Sequence, residues 1–366
     1  MQRNDIIDKN YELSHLKDYF SKEIILWFAK NKRMLPWRTK ISQYNFSYLV
    51  LVSEFMLQQT QVKTVIPYFQ RFTTKWPSVQ SLAKANEKEI LIFWQGLGYY
   101  SRGRNLLKSA KVIVSDYNGK IPTKEEELKK LPGVGDYTAA AIRSIAFNKK
   151  AVAIDGNVKR VIARFFGLKG TLESNLNDIE KIAGLICPNS NNRNYTQGVM
   201  ELGAIICKPK KPDCAQCIIS KHCIAFSSYK TDSIPLPKKR LQKKKLKCVT
   251  YLAIKNNKSV LLIQRKDKNI LKDQWELPST EWNKEETYEI NLNSPIKNTK
   301  WKKSEISFSH SFTHIDLFNS IYLSKLSGNS SKLKKTSKSR WINLQNLSSY
   351  PLTTMSKKTL EMHNLI

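Results

Sequence analysis

The sequence predicts a mainly α N-terminal half followed by a smaller α+β domain, and three observations carry that prediction. Up to about residue 228, apolar residues recur at helical spacing or in buried runs. That half ends in a Cys-x6-Cys-x2-Cys-x5-Cys run formed by Cys207, Cys214, Cys217 and Cys223. From Val249 onward the pattern changes to short β-rich runs separated by turn residues.

In chain order, helices are predicted around Ile24–Phe28, over Phe46–Leu57, over Leu106–Val114 and over Val158–Phe166. Pro36, Pro67, Pro77, Pro122 and Pro132 are each placed to mark a turn or a helix start. A charged helix over residues 124–130 leads into Leu131-Pro-Gly133-Val134-Gly135, and a helix of small residues, 137–143, follows. Pro235 and Pro237 precede a basic run at 238–247, so 229–247 reads as a linker between domains at 1–228 and 248–366. In the second domain, Val249–Ile254 and Val260–Ile263 flank Lys255-Asn-Asn-Lys258, a hairpin signal, and a further strand is predicted over Ile315–Leu323.

Composition narrows the partner. Sixty-two Lys and Arg against thirty Asp and Glu give a formal charge of +32, the footprint of a nucleic-acid binder. A solvated, Lys-rich surface and an anionic membrane surface are the alternatives. No apolar run approaches the roughly 20 residues that span a bilayer. The polar, charged start predicts no secretory leader, and a chain of this length buries a core without disulfides. The four clustered cysteines are therefore predicted metal ligands. Zinc and a [4Fe-4S] cluster both take four thiolates, and a lone Cys-x2-Cys inside an asymmetric loop favours the cluster. Cys187 and Cys248 read as small buried apolar residues.

Three further positions invite chemistry. In Leu131–Gly135, two glycines flanking an apolar residue let backbone N–H groups approach a phosphate, with an ordinary helix–helix turn as the plain alternative. Asp155 opens a helix and reads first as its N-cap, but Gly156 and Asn157 leave its surroundings open. Glu54 is the single acid in the nearly continuous apolar run 46–57. Desolvation there raises a carboxyl pKa and makes it a proton donor near neutral pH, unless a cation pairs with it.

Taken together and in order, these residues resemble a known family. Leu35-Pro-Trp-Arg38, Ser53-Glu54-Phe-Met-Leu-Gln58-Gln59-Thr60, Gly96-Leu-Gly-Tyr99-Tyr-Ser-Arg102, Leu131–Gly135, Asp155-Gly-Asn157-Val-Lys-Arg160 and the cysteine loop are similar to the helix-hairpin-helix, [4Fe-4S]-containing DNA glycosylases. Within them the match is to the adenine DNA glycosylases called MutY. The resemblance implies that Asp155 stabilises the sugar cation as the base departs and that Glu54 protonates adenine and later helps to activate water. It implies that Asn157 supports the two acids, that Gln58, Gln59 and Tyr99 push into the duplex, and that the 131–135 hairpin holds DNA. Tyr137 stands where the bifunctional endonuclease III relatives carry a Schiff-base lysine, so a monofunctional enzyme is expected. A bifunctional glycosylase/lyase acting on oxidised pyrimidines, or a non-catalytic iron–sulfur DNA-binding protein, are the alternatives.

After the break, Leu262-Ile-Gln-Arg265 and Trp275-Glu-Leu-Pro278 resemble the early strands of a Nudix fold. The magnesium-holding helix that a Nudix hydrolase needs is missing from 280–289, so hydrolysis is expected to be lost. In the family this domain reads 8-oxoguanine with a Phe-Ser-His loop. Phe312-Thr313-His314, directly before a strand, is the preferred match, although Phe308-Ser309-His310 spells the motif literally. The resemblance thus implies a monomeric, cytoplasmic, nucleoid-associated bacterial enzyme acting on duplex DNA with adenine opposite 8-oxoguanine or guanine.

Overall fold

The computed structural model describes residues 10–38, 45–238, 242–265, 274–285, 288–327 and 339–366. The polar start of the chain, residues 239–241 of the basic run and residues 286–287 lie outside these. The backbone divides into two units, Met1–Ala85 with Ser101–Lys239, and Asn86–Tyr100 with Arg240–Ile366.

The first unit is helical. Its helices are α1 (Asn10–Asn31), α2 (Phe46–Leu57), α3 (Val62–Lys75) and α4 (Val79–Ala83); α5 (Glu87–Trp94) falls in the other unit; then come α6 (Ser101–Asp116), α7 (Glu125–Leu128), α8 (Asp136–Ala141), α9 (Gly156–Phe165), α10 (Leu176–Ile186), α11 (Asn192–Ile205) and α12 (Ile224–Ser227). Every residue of α2 from Tyr48 to Met56 is buried, which makes it a central helix. A second core gathers Phe20, Ile24 and Phe28 of α1 with Val161 and Phe165 of α9, Ile182 of α10 and Leu202 of α11. Partly buried Cys207, Cys217 and Cys223 pack against it, so the cysteine loop is built onto the core. Pro67 does not start a helix as expected; it lies inside α3, which forgoes one backbone hydrogen bond there.

The second unit is a mixed sheet of β1 (Lys244–Lys255), β2 (Ser259–Gln264), β3 (Trp275–Glu276), β4 (Lys302–Ser311), β5 (Ile315–Leu326) and β6 (Ser339–Asn343), with α13 (Thr354–Met362) packed against one face. The order is β3-β2-β1-β5-β4, with β6 also on β2. β1 and β5 run parallel over twelve paired residues. The β1–β2 hairpin forms where the sequence signals it: Asn256 and Asn257 both take positive φ, the twist a tight hairpin requires. Cys187 and Cys248 are buried.

The domain borders differ from those read in the sequence. Lys244–Lys247 pair with β5 as the start of β1 and are not linker. Residues 230–236 return to the helical unit: Ile234 is buried, its carbonyl accepts from Arg164 Nε at 2.8 Å, and Leu236 N donates to the Gly170 carbonyl at 2.8 Å. Asn86–Tyr100 belongs with the sheet because Gln95 Nε2 donates to the Leu352 carbonyl and the Lys88 ammonium lies 5.1 Å from the Tyr350 ring centre. Neither bond leaves a trace in local sequence.

Candidate active site

Glu54 sits on the buried α2, and burial raises its carboxyl pKa to about 7. A hydrogen bond donated by the Tyr137 hydroxyl pulls the other way, and the charge of Asp155 adds to the rise. Tyr137, in the first turn of α8, is itself pushed well above the ordinary phenol range by burial and by both carboxylates, so it stays a neutral donor. Three residues distant in sequence therefore meet at one place.

Asp155 is the N-cap of α9, as its position suggests: Oδ1 accepts from Val158 N at 2.7 Å. Its second oxygen is taken by Asn157 Nδ2 at 2.8 Å. Both oxygens are thus oriented, and the side chain remains partly exposed. The line continues inward. Asn157 Oδ1 accepts from Arg160 Nη2 at 2.9 Å, and Arg160 Nε donates to the Cys207 carbonyl at 2.8 Å. A hydrogen-bonded path therefore joins Asp155 to the first cysteine of the loop. Gly203 of α11 makes room for it, since a Cβ there would lie 2.6 Å from Asn157 Cβ.

All six cysteines are free. Cys207, Cys214, Cys217 and Cys223 line one pocket, together with Arg164, Ile219 and Phe226. Burial and the neighbouring sulfurs raise the thiols of Cys214, Cys217 and Cys223, Cys217 to about 12. Among the described residues no group of three or more His, Cys, Asp or Glu is gathered into a metal-ion site. Four thiols around one pocket do suit an iron–sulfur cluster, which takes soft donors at wider separation than one ion does. Arg164, to which sequence reasoning gave no role, braces the loop: it donates to the carbonyls of Lys208 and Pro209 and lies 3.4 Å from Cys207 Sγ.

At the end of α2 the chain reverses through Gln59, which is exposed and at positive φ. Buried Arg102 shapes this turn by donating to the carbonyls of Phe55, Met56 and Gln58 and to Thr60 Oγ1. Gln58 points inward, its amide donating to Thr138 Oγ1 at 3.2 Å, so the two glutamines are not equivalent. In the hairpin, Leu131 and Val134 are buried anchors. Gly133 takes φ +82 against Asn105 and Phe55, where a Cβ would come within 2.9 Å of both. Gly135 is extended and exposed with open space around it, which leaves its backbone accessible.

In the sheet unit, the two candidate versions of the Phe-Ser-His motif separate cleanly. Phe308–His310 lies within β4, paired to β5, with Phe308 buried. Phe312–His314 forms the turn between those strands, closed by Phe312 N donating to the Ile315 carbonyl at 2.7 Å. Thr313 and His314 are exposed, and Thr313 Oγ1 is 2.7 Å from the Tyr99 hydroxyl. Tyr99, at positive φ and half exposed, thus stands beside the turn. Ser279–Asn283 runs extended beside β1, with Ser279 bridging Thr250 and Asn283 bridging Lys247.

Residues 52–184 match the family described as HhH-GPD superfamily base excision DNA repair protein, and residues 249–362 match a NUDIX domain. The adenine DNA glycosylase of Buchnera aphidicola subsp. Acyrthosiphon pisum is 36% identical, across 94% of this chain and 97% of the relative. The human adenine DNA glycosylase is 30% identical across 94% of this chain and 74% of its own length. Among solved structures, a thermostable thymine-DNA glycosylase superposes with a TM-score of 0.52 at 31% identity, covering 59% of this chain and 98% of that one. An endonuclease III–DNA complex superposes at 0.50 and 23% identity, covering 59% and 97%, and shows the fold alone.

Proposed function

Because the chain belongs to the adenine DNA glycosylases and removes adenine in base excision repair, we propose that Glu54 and Asp155 perform the excision, acting on adenine opposite 8-oxoguanine or guanine. The observation that carries this reading is the acid pair itself: Glu54 buried and shifted to about 7, within the electrostatic reach of Asp155. Adenine leaves poorly until protonated. Glu54 donates its proton to a ring nitrogen, the glycosidic C–N bond breaks, and its electron pair departs with the base. The sugar is left as an oxocarbenium ion, which the oriented Asp155 carboxylate stabilises. Water then adds to the sugar carbon and gives its proton to Glu54, leaving an abasic site. Tyr137 holds Glu54 by its hydroxyl and offers no amine for an imine, so the strand stays intact.

The adenine must leave the stack, at a cost of a few kcal/mol. Gln59 and Tyr99, both exposed, would fill the gap, with Gln58 bracing its own turn from inside. The hairpin Leu131–Gly135 would take a backbone phosphate. Cys207, Cys214, Cys217 and Cys223 would hold a [4Fe-4S] cluster, which supplies fold and docking rather than a chemical step. Thr313 and His314 would read 8-oxoguanine at its N7–H and eight-position oxygen. The protein is read as a cytoplasmic monomer acting on duplex DNA; no helix among the described residues is long and apolar enough to cross a membrane.

The test is an excision assay on duplexes carrying adenine opposite 8-oxoguanine, guanine, cytosine or thymine, with and without alkali. Excision is expected with the first two, strand breakage only after alkali, and near-complete loss of excision with retained duplex binding in Asp155→Asn and Glu54→Gln. Either variant working at the wild-type rate overturns its assignment. The purified protein should be brown and contain iron; colourless protein with one zinc per chain refutes the cluster.

A further inference from the structure

We propose that Trp282 is a positioning residue for the Phe312–His314 turn, and through it sets the preference for 8-oxoguanine over guanine. The inference rests on the reading above that this turn meets the lesion. Trp282 belongs to the Ser279–Asn283 strip. The backbone on both sides of it is pinned to β1: Thr280 N donates to the Val249 carbonyl at 2.9 Å, and Asn283 and Lys247 exchange two bonds at 3.1 and 2.7 Å. The indole therefore has a fixed base.

Its ring stacks on Phe312, with centroids 5.2 Å apart and planes at 29°. The Arg265 guanidinium lies over the same indole at 5.4 Å from its centre. Arg265 is in turn held by Glu276, whose two carboxylate oxygens accept from Nη1 at 3.2 and 3.1 Å. The His310 ring packs edge-to-face with Phe312, their centroids 4.6 Å apart. Glu276, Arg265, Trp282 and Phe312 thus form a packed row that ends one residue before Thr313. Thr313 and His314 are exposed, so the orientation of their side chains depends on the turn backbone that the Phe312 ring anchors, and for Thr313 also on the Tyr99 hydroxyl. Hydrogen bonds to the 8-oxoguanine edge are directional, whereas guanine lacks the N7–H they would meet. Loosening the anchor should therefore weaken excision opposite the lesion and spare excision opposite guanine.

The experiment uses the full chain and single-turnover adenine excision opposite 8-oxoguanine and opposite guanine, for Trp282→Ala, Trp282→Phe and Thr313→Val with His314→Ala, each checked by thermal melting. Trp282→Ala should lower the ratio of the two rates about tenfold, the equivalent of losing one or two net hydrogen bonds, with the guanine rate unchanged. Trp282→Phe, which still stacks, should restore most of the ratio. The inference falls if Trp282→Ala keeps the wild-type ratio while the turn variant loses it, or if both rates fall in parallel and phenylalanine does not rescue. Should Trp282→Ala not fold, an unchanged ratio in a folded Trp282→Leu overturns it equally. If the turn variant itself keeps the ratio, the lesion-reading assignment of the turn fails instead.

Discussion

Glu54 is where one residue's environment decides the chemistry. Its carboxyl ionises near 4.5 when exposed and near 7 in the folded protein, chiefly through burial. If Glu54 is the proton donor, as proposed, only its protonated form can act, so the excision step should slow as pH rises through about 7. Tyr137→Phe removes the hydrogen bond that holds this value down, so the alkaline limb should move to higher pH, which a single-turnover pH profile measures directly. An unmoved limb would mean that another group controls it. The same shift has a stability side. The folded state keeps a proton that the unfolded chain has released between 4.5 and 7, so this contribution is complete below 4.5 and lost as pH rises through 7. Its full size is about 3 kcal/mol. Glu54→Gln, which cannot ionise, should therefore gain melting temperature over wild type at pH 8 relative to pH 5. Parallel melting curves across that range would contradict a buried, titrating Glu54.

At the scale of elements, α9 serves two tasks at opposite ends. Its N-terminus carries Asp155, and its inward face carries Arg160 and Arg164 to the cysteine loop. α11 closes on it through Gly203, because no side chain fits between that position and Asn157. Gly203→Ala should push Asn157 away from Asp155, costing roughly 1–3 kcal/mol in stability and lowering the excision rate more than duplex affinity. Arg160→Met keeps the apolar stem but cuts the link from Asn157 to the Cys207 carbonyl. It should reduce excision and also loosen the loop, seen as faster loss of iron under a chelator. Wild-type excision with labile iron would show the two ends of α9 to be independent. The hairpin element behaves differently, since Gly133 is required by a close approach within the protein whereas Gly135 faces open space.

For the whole molecule, the proposed function assigns chemistry to the helical unit and lesion reading to the sheet unit. A truncation that removes the strands but keeps Asn86–Tyr100 should end after Lys238, not near Ser228, because Ile234 is buried and Leu236 N donates to the Gly170 carbonyl. Such a chain should still remove adenine opposite guanine but lose most of its preference for 8-oxoguanine, measured by the same pair of substrates. Retention of the full preference would place lesion reading in the helical unit. The net charge of +32 makes a further prediction for the intact chain: affinity for any duplex should fall steeply with salt, while the ratio between lesion and undamaged pairs changes little. A flat salt response would mean that the lysines are a solvated coat rather than a phosphate-binding surface.

What could be read from the sequence was what depends on neighbours along the chain. The cysteine spacing, a lone acid in an apolar helix, the N-cap Asp155, the Asn256-Asn257 turn and the extended run after it are local patterns, and each reappears in the structure. Long-range partners left no such trace. Sixty-two basic residues give no hint that, among the described residues, Arg102, Arg160 and Arg164 are buried, each spent on backbone carbonyls far away in sequence. The reach of Tyr137 to Glu54, the room Gly203 leaves for Asn157, the choice of Phe312–His314 over Phe308–His310 as the turn, and the stack of Trp282 on Phe312 were all decided by tertiary packing. The reason is physical: periodicity and capping act over a few residues, whereas the orientation and protonation of a site depend on which distant groups close packing brings against it.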